Sequence, residues 1–328
     1  MVKIGLIPPA PKPLLKVFMN TLSRRSFLVA NAGLMTIGKV AIAQNEFPPI
    51  IDTHQHLWDR TKIQLDWIEK GSVLDRDFLP SDYAKATAGL GVVQSVYMEV
   101  DVTPTQQTLE ANEITALCKS KSGPTRSAII SGRPASPDFS KYLDQFRDNP
   151  YIKGIRQVLH ASTTPAGYSL SPEFKQGIQE LGKRGLSFDI CLRSVDLEDG
   201  VKLAQACPDT RFILDHCGNP NVKQAPDMKW LKAIESLAKL PNVSGKISGI
   251  IAGSDPTKPL VAQLAPFVNH MWDSFGPDKV VFGGDWPVCL LGGSYSKWVQ
   301  TLREIVSSRS KVDQQKLFHD NALRVYKL

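Results

Sequence analysis

No C-x-x-C pair occurs anywhere in the 328 residues, and the five cysteines, Cys118, Cys191, Cys207, Cys217 and Cys289, are widely separated and odd in number. A disulfide framework and a thiolate zinc site are therefore excluded as organising features. No low-complexity linker divides the chain, and no self-similarity at the ~20–50-residue periods of repeat proteins is present. Charge of one sign is also missing from the body. The formal net charge is +7, but Lys3, Lys12, Lys16, Arg24, Arg25 and Lys39 fall within residues 1–43 without one acid, which leaves 33 basic against 32 acidic residues. Polyanion binding has no electrostatic support in that balance, so nucleic acid is excluded as a partner.

The basic N-terminal stretch reads as an address. "SRRSFLVANAGLMTIGKVAIAQ" places Arg24 and Arg25 before a largely apolar run, Phe27 to Ile42, and ends in an A-x-A arrangement at Ala41 and Ala43. It resembles a twin-arginine export signal cleaved before Gln44, which implies the twin-arginine translocase as a transient partner and the periplasm as destination. Gly33, Gly38 and Lys39 interrupt the run, so it is not expected to persist as a membrane anchor of the ~20 residues a span requires. Met19, four residues before Ser23, is an alternative translation start. The unpaired cysteines suit a route that exports proteins already folded in a reducing compartment.

After Gln44, runs rich in β-branched residues alternate with amphipathic segments. The runs are 49–56, 93–100, 126–134, 151–160, 186–193, 211–218, 242–250 and 279–287. Between them, "TLEANEITALCKSK" can align Leu109, Ile114, Leu117 and Cys118 on one helical face, and "DMKWLKAIESLAKL" can align Trp230, Leu231, Ile234, Leu237 and Ala238. "SPEFKQGIQELGKRG" carries Ser171 as cap, Pro172 at the first helical position and Gly185 beyond the end. Strands alternating with helices predict a parallel sheet. Eight such units predict one closed (β/α)8 TIM barrel over residues 44–328.

In such a barrel the active site lies at the carboxyl ends of the strands. The polar residues of these runs crowd there: His54 and His56 on the first, Glu99 and Asp101 on the second, Arg133 on the third, Arg156 and His160 on the fourth, Asp189 and Arg193 on the fifth. Asp215 and His216 follow on the sixth, Lys246 on the seventh, and Asp285 with Trp286 on the eighth. A barrel core gains nothing from ionisable groups on most of its strands unless they meet one another, a metal or a substrate. Period-two spacing points His54 and His56 to the axis, where both imidazoles can reach one ion or one water. A third nitrogen from His216 and an oxygen from Asp285 complete a ligand set.

This constellation resembles the amidohydrolase superfamily. The ordered motifs "DTHQHLWD", "GIRQVLH", "FDICLR", "LDHCGNP" and "FGGDWPVC", with a terminal "NALRVYKL", resemble its amidohydrolase-related branch, which includes lactonases of fuconolactone, rhamnonolactone and pyrone-dicarboxylate type. The chain departs from binuclear members: Lys153 sits at the start of the fourth run rather than in a bridging position, and "ICLR" ends without histidine. The resemblance therefore implies one divalent ion, best suited to Zn²⁺, or none.

Lactone hydrolysis needs a polarised carbonyl, a deprotonated water and a proton for the leaving oxygen. Asp285 is assigned as the base, with His54, His56 and His216 holding the water or the oxyanion. Arg156, Arg193, Lys246, Glu99, His160 and Trp286 are assigned to a small-molecule substrate, with Trp58 and Trp67 as further walls. An arginine paired with Asp189 would look the same in sequence. Two alternatives stand beside this reading: a metal-dependent non-oxidative decarboxylase on the same fold, and an inactive periplasmic binding protein. A homodimer is compatible with either.

Overall fold

The structure, a computed structural model, describes residues 47–328. The export segment and its translation start lie outside the described residues. Eight strands run β1 (Ile50–Gln55), β2 (Val92–Met98), β3 (Thr125–Ser131), β4 (Ile152–Leu159), β5 (Ser187–Leu192), β6 (Arg211–Leu214), β7 (Val243–Ile247) and β8 (Val280–Phe282). All neighbours pair in parallel and in sequence order. Closure is made just beyond β8: Asp285 N–H donates to His54 O at 2.7 Å and His56 N–H to Trp286 O at 2.7 Å. The fold is a (β/α)8 barrel.

The main helices are α1 (Pro80–Thr87), α2 (Gln107–Ser120), α3 (Phe139–Asp144), α4 (Pro172–Lys183), α5 (Leu197–Ala206), α6 (Met228–Ala238), α7 (Leu260–Phe275) and α8 (Tyr295–Ile305). Local chemistry sets their limits. Ser171 caps α4 by accepting from Phe174 N–H at 3.2 Å, and the left-handed Gly185 (φ +71°) follows its end. Helix α6 buries Trp230, Ile234 and Leu237 as its periodicity predicts. Helix α2 differs: its inner face is Gln107, Glu110, Ala111, Ile114 and Cys118, while Leu109 is exposed. Buried polar groups on that face shifted the register that hydrophobicity alone suggests.

The outer core fills the layer between sheet and helices. A smaller cluster, Val96, Met98, Ile129, Ile213 and Val281 with Val325 and Tyr326, fills the barrel interior. The last two come from the chain end, where α9 (Lys311–Gln315), a π-helical turn (Lys316–Asp320) and α10 (Asn321–Tyr326) run on from one another. Asn321 anchors this end by donating to Pro277 O and Val280 O at 2.7 and 2.8 Å. Arg211 and Lys153, at the starts of β6 and β4, donate to Val325 O and Lys327 O. The amino-terminal mouth of the barrel is thereby plugged, leaving the carboxyl end for chemistry.

Strands β6 and β8 fall furthest short of their apolar runs. Strand β6 stops at Leu214 because His216 and Cys217 turn left-handed (φ +52° each), and β8 stops at Phe282 ahead of the Gly283–Gly284 turn. The seam between β1 and β8 rests on Asp52. Its carboxylate is fully buried and accepts from Gly284 N–H (2.7 Å), His54 N–H (3.0 Å), Tyr83 O–H (2.7 Å) and Tyr295 O–H (3.1 Å). Burial raises its pKa, while these donors pull it back. Replacing Asp52 with alanine strands several buried donors, each costing ~1–3 kcal/mol, so Asp52→Ala is expected to lose about 3 kcal/mol or more in urea unfolding. Asp52→Asn, which keeps one acceptor oxygen, should lose less; an alanine variant within about 0.5 kcal/mol of the parent would remove Asp52 from the closure.

Candidate active site

The turns that follow the strands carry the site. Asp101, His216, Asn219 and Asp285 all adopt left-handed backbone, with φ between +52° and +53°. This conformation is costly for residues other than glycine and collects where surrounding structure imposes it. Here it turns Asp285 and His216 back over the strand ends. Gly249 makes room: a Cβ there would lie 2.2 Å from His216 Nδ1. The His216 ring is fixed by Ser248 Oγ at 2.9 Å from Nδ1, which leaves Nε2 as its other coordinating atom.

The structure brings the four expected residues to one end of the barrel, with His56 outside the group whose ligand atoms share a common distance. His54 and His56 lie edge to face with ring centroids 4.8 Å apart, and His54 and His216 are 4.4 Å apart. Asp285 Oδ1 is 3.3 Å from His56 Nε2 and 3.7 Å from His54 Nε2. His56 Nδ1 faces Met98 O at 2.9 Å. A carbonyl only accepts, so Nδ1 carries a proton and Nε2 is the nitrogen that faces Asp285. Strand β1 advances three residues from Asp52 to Gln55 while β2 advances two, so the ladder is irregular where His54 sits.

Beneath this cluster the barrel axis holds a column of ions. Tyr326 O–H donates to Asp189 Oδ2 at 2.6 Å; Lys246 Nζ meets the same oxygen at 2.7 Å, Asp215 Oδ1 at 2.8 Å and His54 Nδ1 at 3.2 Å. From the other side Arg156 donates through Nε to Glu99 Oε1 and through Nη2 to Glu99 O, both at 2.6 Å, while Nη1 faces His54 Nε2 at 3.2 Å and Asp215 Oδ2 at 3.4 Å. Burial first, then Lys246, holds His54 well below the ordinary imidazole pKa. Burial also lowers His216 to about 4 and raises Asp189 to about 6.

Ligand atoms of His54, His216 and Asp285 all lie within 4.8 Å of one another. Neutral imidazoles with a carboxylate suit a divalent ion, so the donor set fits one. Arg156 is its competitor for the His54 Nε2 lone pair. A second group, Cys191, Asp215 and His216, meets the same distance, but burial raises the Cys191 thiol pKa and keeps it protonated, which makes it a poor ligand.

Several sequence assignments move. A cavity of about 370 Å³ opens above the cluster and is lined by His56, Arg156, His160, His216 and Asp285 among others. Lys246 is sealed below it, fully buried. Arg193 is turned away, paired with Asp196 and donating to Ala161 O and Thr164 O at 3.2 and 3.1 Å. Trp286 packs against Phe78 and Tyr83 with centroids 5.2 and 5.4 Å away, and Trp58 packs on Phe78 at 5.0 Å; of the three tryptophans only Trp67 lines the cavity. Glu99 lies behind Arg156 and does not line the cavity. Asp189 pairs with Lys246 rather than with an arginine. Sequence reasoning assigned no role to Asp52 or Ser248; "IIDTHQH" carried the first as an aspartate at strand spacing from His54.

The His216 shift has a pH consequence. An unfolded histidine takes a proton below about 6.5, while folded His216 resists protonation until about 4. The unfolded state therefore binds more protons in this window, and stability falls as pH drops from about 6.5 toward 4. Between pH 7 and pH 5 the expected loss from this group is about 2 kcal/mol, read by denaturant unfolding at both pH values. His216→Gln should lose correspondingly less over the same interval; equal losses in both proteins would contradict the assignment.

Comparison with known proteins agrees with this fold. A family model for amidohydrolases matches residues 51–328. An L-fucono-1,5-lactonase from Burkholderia multivorans is 27% identical over 292 residues, covering 85% of this chain and 96% of its own. A crystal structure of an amidohydrolase from Burkholderia multivorans with bound zinc superimposes with a TM-score of 0.75 at 24% identity, covering 85% of this chain and 99% of that one. The 5-carboxyvanillate decarboxylase of Novosphingobium aromaticivorans, complexed with manganese, has a TM-score of 0.64 at 14% identity, covering 86% and 96%. With the family model spanning most of its length and the His/Asp cluster at its strand ends, the chain belongs to the amidohydrolase family and is a hydrolytic enzyme.

Proposed function

We propose that this enzyme hydrolyses the ester bond of a lactone. The observation that carries this reading is the corner between Asp285 Oδ1 and His56 Nε2, 3.3 Å apart. Both atoms accept hydrogen bonds, both residues line the cavity, and the other His56 nitrogen is already engaged. A water molecule donating to both satisfies that corner and is thereby aimed at a bound carbonyl. Similarity to the fuconolactonase supports an ester as the bond attacked.

Asp285 takes a proton from the water as its oxygen bonds to the lactone carbonyl carbon. Arg156, fixed by Glu99 and lining the cavity, supplies positive charge beside the developing oxyanion. As the ring C–O bond breaks, Asp285 returns the proton to the leaving oxygen and a hydroxy acid results. His54 and His216, kept neutral by burial, hold the water or an ion without repelling it. His54, His216 and Asp285 would hold a divalent ion, which when bound would supply Lewis acidity toward the lactone carbonyl and the attacking water.

Asp285→Asn keeps shape and removes basicity. Its turnover of the lactone should drop by roughly 10²–10⁴-fold with an unchanged unfolding transition. Hydrolysis within about threefold of the parent would take Asp285 out of the mechanism, and release of carbon dioxide from an aromatic acid would favour decarboxylation instead.

We also propose that the protein is exported through the twin-arginine route, on the strength of Arg24 and Arg25 before the interrupted apolar run. Replacing both with lysine should leave an uncleaved precursor in the cytoplasm, seen by fractionation and blotting. Mature protein in the periplasm of a strain lacking the translocase would refute this.

A further inference from the structure

The chemistry of the cavity walls differs from that of its floor. Above Asp285 the lining is Trp67, Val100, Val158, Pro220, Ile250 and Val288. Trp67 stands at 41% exposure with its indole N–H already donating to Val100 O at 2.8 Å, so it offers a bare aromatic surface and no free donor. Polar groups on the walls are few. Asp101, His160 and Asn219 line the cavity, and the Asn219 Nδ2 donates to Leu192 O at 2.7 Å.

Recognition of a substrate carboxylate needs a cation with donors to offer, best a guanidinium fork. Arg156 is the only Lys or Arg side chain lining this cavity among the described residues, and each of its three nitrogens already meets Glu99, Asp215 or His54. Lys246 and Arg193 are engaged elsewhere, as described above. Asp101 on the wall is paired with Arg133 Nη2 at 3.5 Å, so it offers an anionic ligand no cationic partner. A ring bearing many hydroxyls meets a related obstacle, since each hydroxyl placed against Val158, Ile250 or Val288 loses its water without gaining a partner.

We infer that the substrate is a neutral lactone with an apolar body, an alkyl-substituted or aryl-fused ring, carrying neither a carboxylate nor a full set of sugar hydroxyls. This rests on the lactone reading of the same site. It separates the chain from the sugar and dicarboxylate lactones of the branch its motifs resemble: the floor of the barrel holds the hydrolytic cluster, and the walls select what reaches it. The cavity, about 370 Å³, is at the small end of ligand pockets and suits a single ring with a short substituent.

The test compares kcat/KM of the purified full chain on dihydrocoumarin and delta-decalactone with that on gluconolactone and pyrone-dicarboxylate, and measures binding of the same compounds to Asp285→Asn by calorimetry. The apolar lactones should exceed the other two by about tenfold or more, the scale at which a few apolar contacts discriminate. Trp67→Ala and Ile250→Asn should each narrow that preference by roughly tenfold; Trp67 is half-exposed, so its variant tests the wall without disturbing the core. Preference for gluconolactone or pyrone-dicarboxylate would overturn the inference and leave lactone hydrolysis standing. Apolar lactones bound tightly by Asp285→Asn but turned over by neither protein would overturn lactone hydrolysis while supporting the apolar ligand class. Neither binding nor turnover of any apolar lactone would overturn the inference outright.

Discussion

Lys246 and Arg156 approach the two ring nitrogens of His54, each at 3.2 Å, and both cations are held in place by buried carboxylates. Two fixed positive charges on one imidazole leave no room for a third on the ring itself, and burial acts in the same direction. Burial and Lys246 therefore hold the His54 pKa well below the ordinary imidazole value. Taking Asp189, Asp215, Glu99, Lys246 and Arg156 out of water is costly, and such pairs seldom add net stability over apolar packing. Their return is positional: the charges hold one another, and each fixes the next along the axis from Tyr326 below to Asp285 above.

That axial column needs a closed barrel around it. Closure depends on the short seam between β1 and the turn after β8, where Asp52 gathers donors from both sides while His54 and Asp285 exchange a backbone hydrogen bond. The bond from Asp285 N–H to His54 O, beside that from His56 N–H to Trp286 O, thus helps close the sheet and sets the spacing between the proposed base and a histidine of its cluster. The left-handed turn at His216 has the same double character, ending β6 early and aiming its side chain inward, while that at Asp285 turns the carboxylate back over the strand ends. The chain end completes the arrangement from below, since Tyr326 both fills the interior and bonds Asp189.

The sequence made the barrel legible because parallel strands buried on both faces read as apolar runs separated by amphipathic helices. His54, His56, His216 and Asp285 were legible as a cluster because each falls where a strand ends, and convergence follows from topology once eight parallel strands are recognised. The partners of the cations were not legible. Arg193 and Lys246 carry the same charge at similar strand positions as Arg156, yet one turns to Asp196, one is sealed under the site and one faces the cavity. Trp286, adjacent to Asp285, points into the Phe78 and Tyr83 cluster because successive residues beyond a strand diverge.

Residue order by itself determined the strand count, the parallel pairing, the identity of the polar groups at the carboxyl end and the helix caps, since these depend on local periodicity and on chain connectivity. Only the tertiary structure decided which charges neutralise one another, which histidine nitrogens remain free, and what lines the cavity above them. Those outcomes turn on distances of 3–4 Å between residues up to 243 positions apart, as for Asp52 and Tyr295. At such separations ion pairing and burial compete among many near-equivalent partners, and only the packed geometry selects between them.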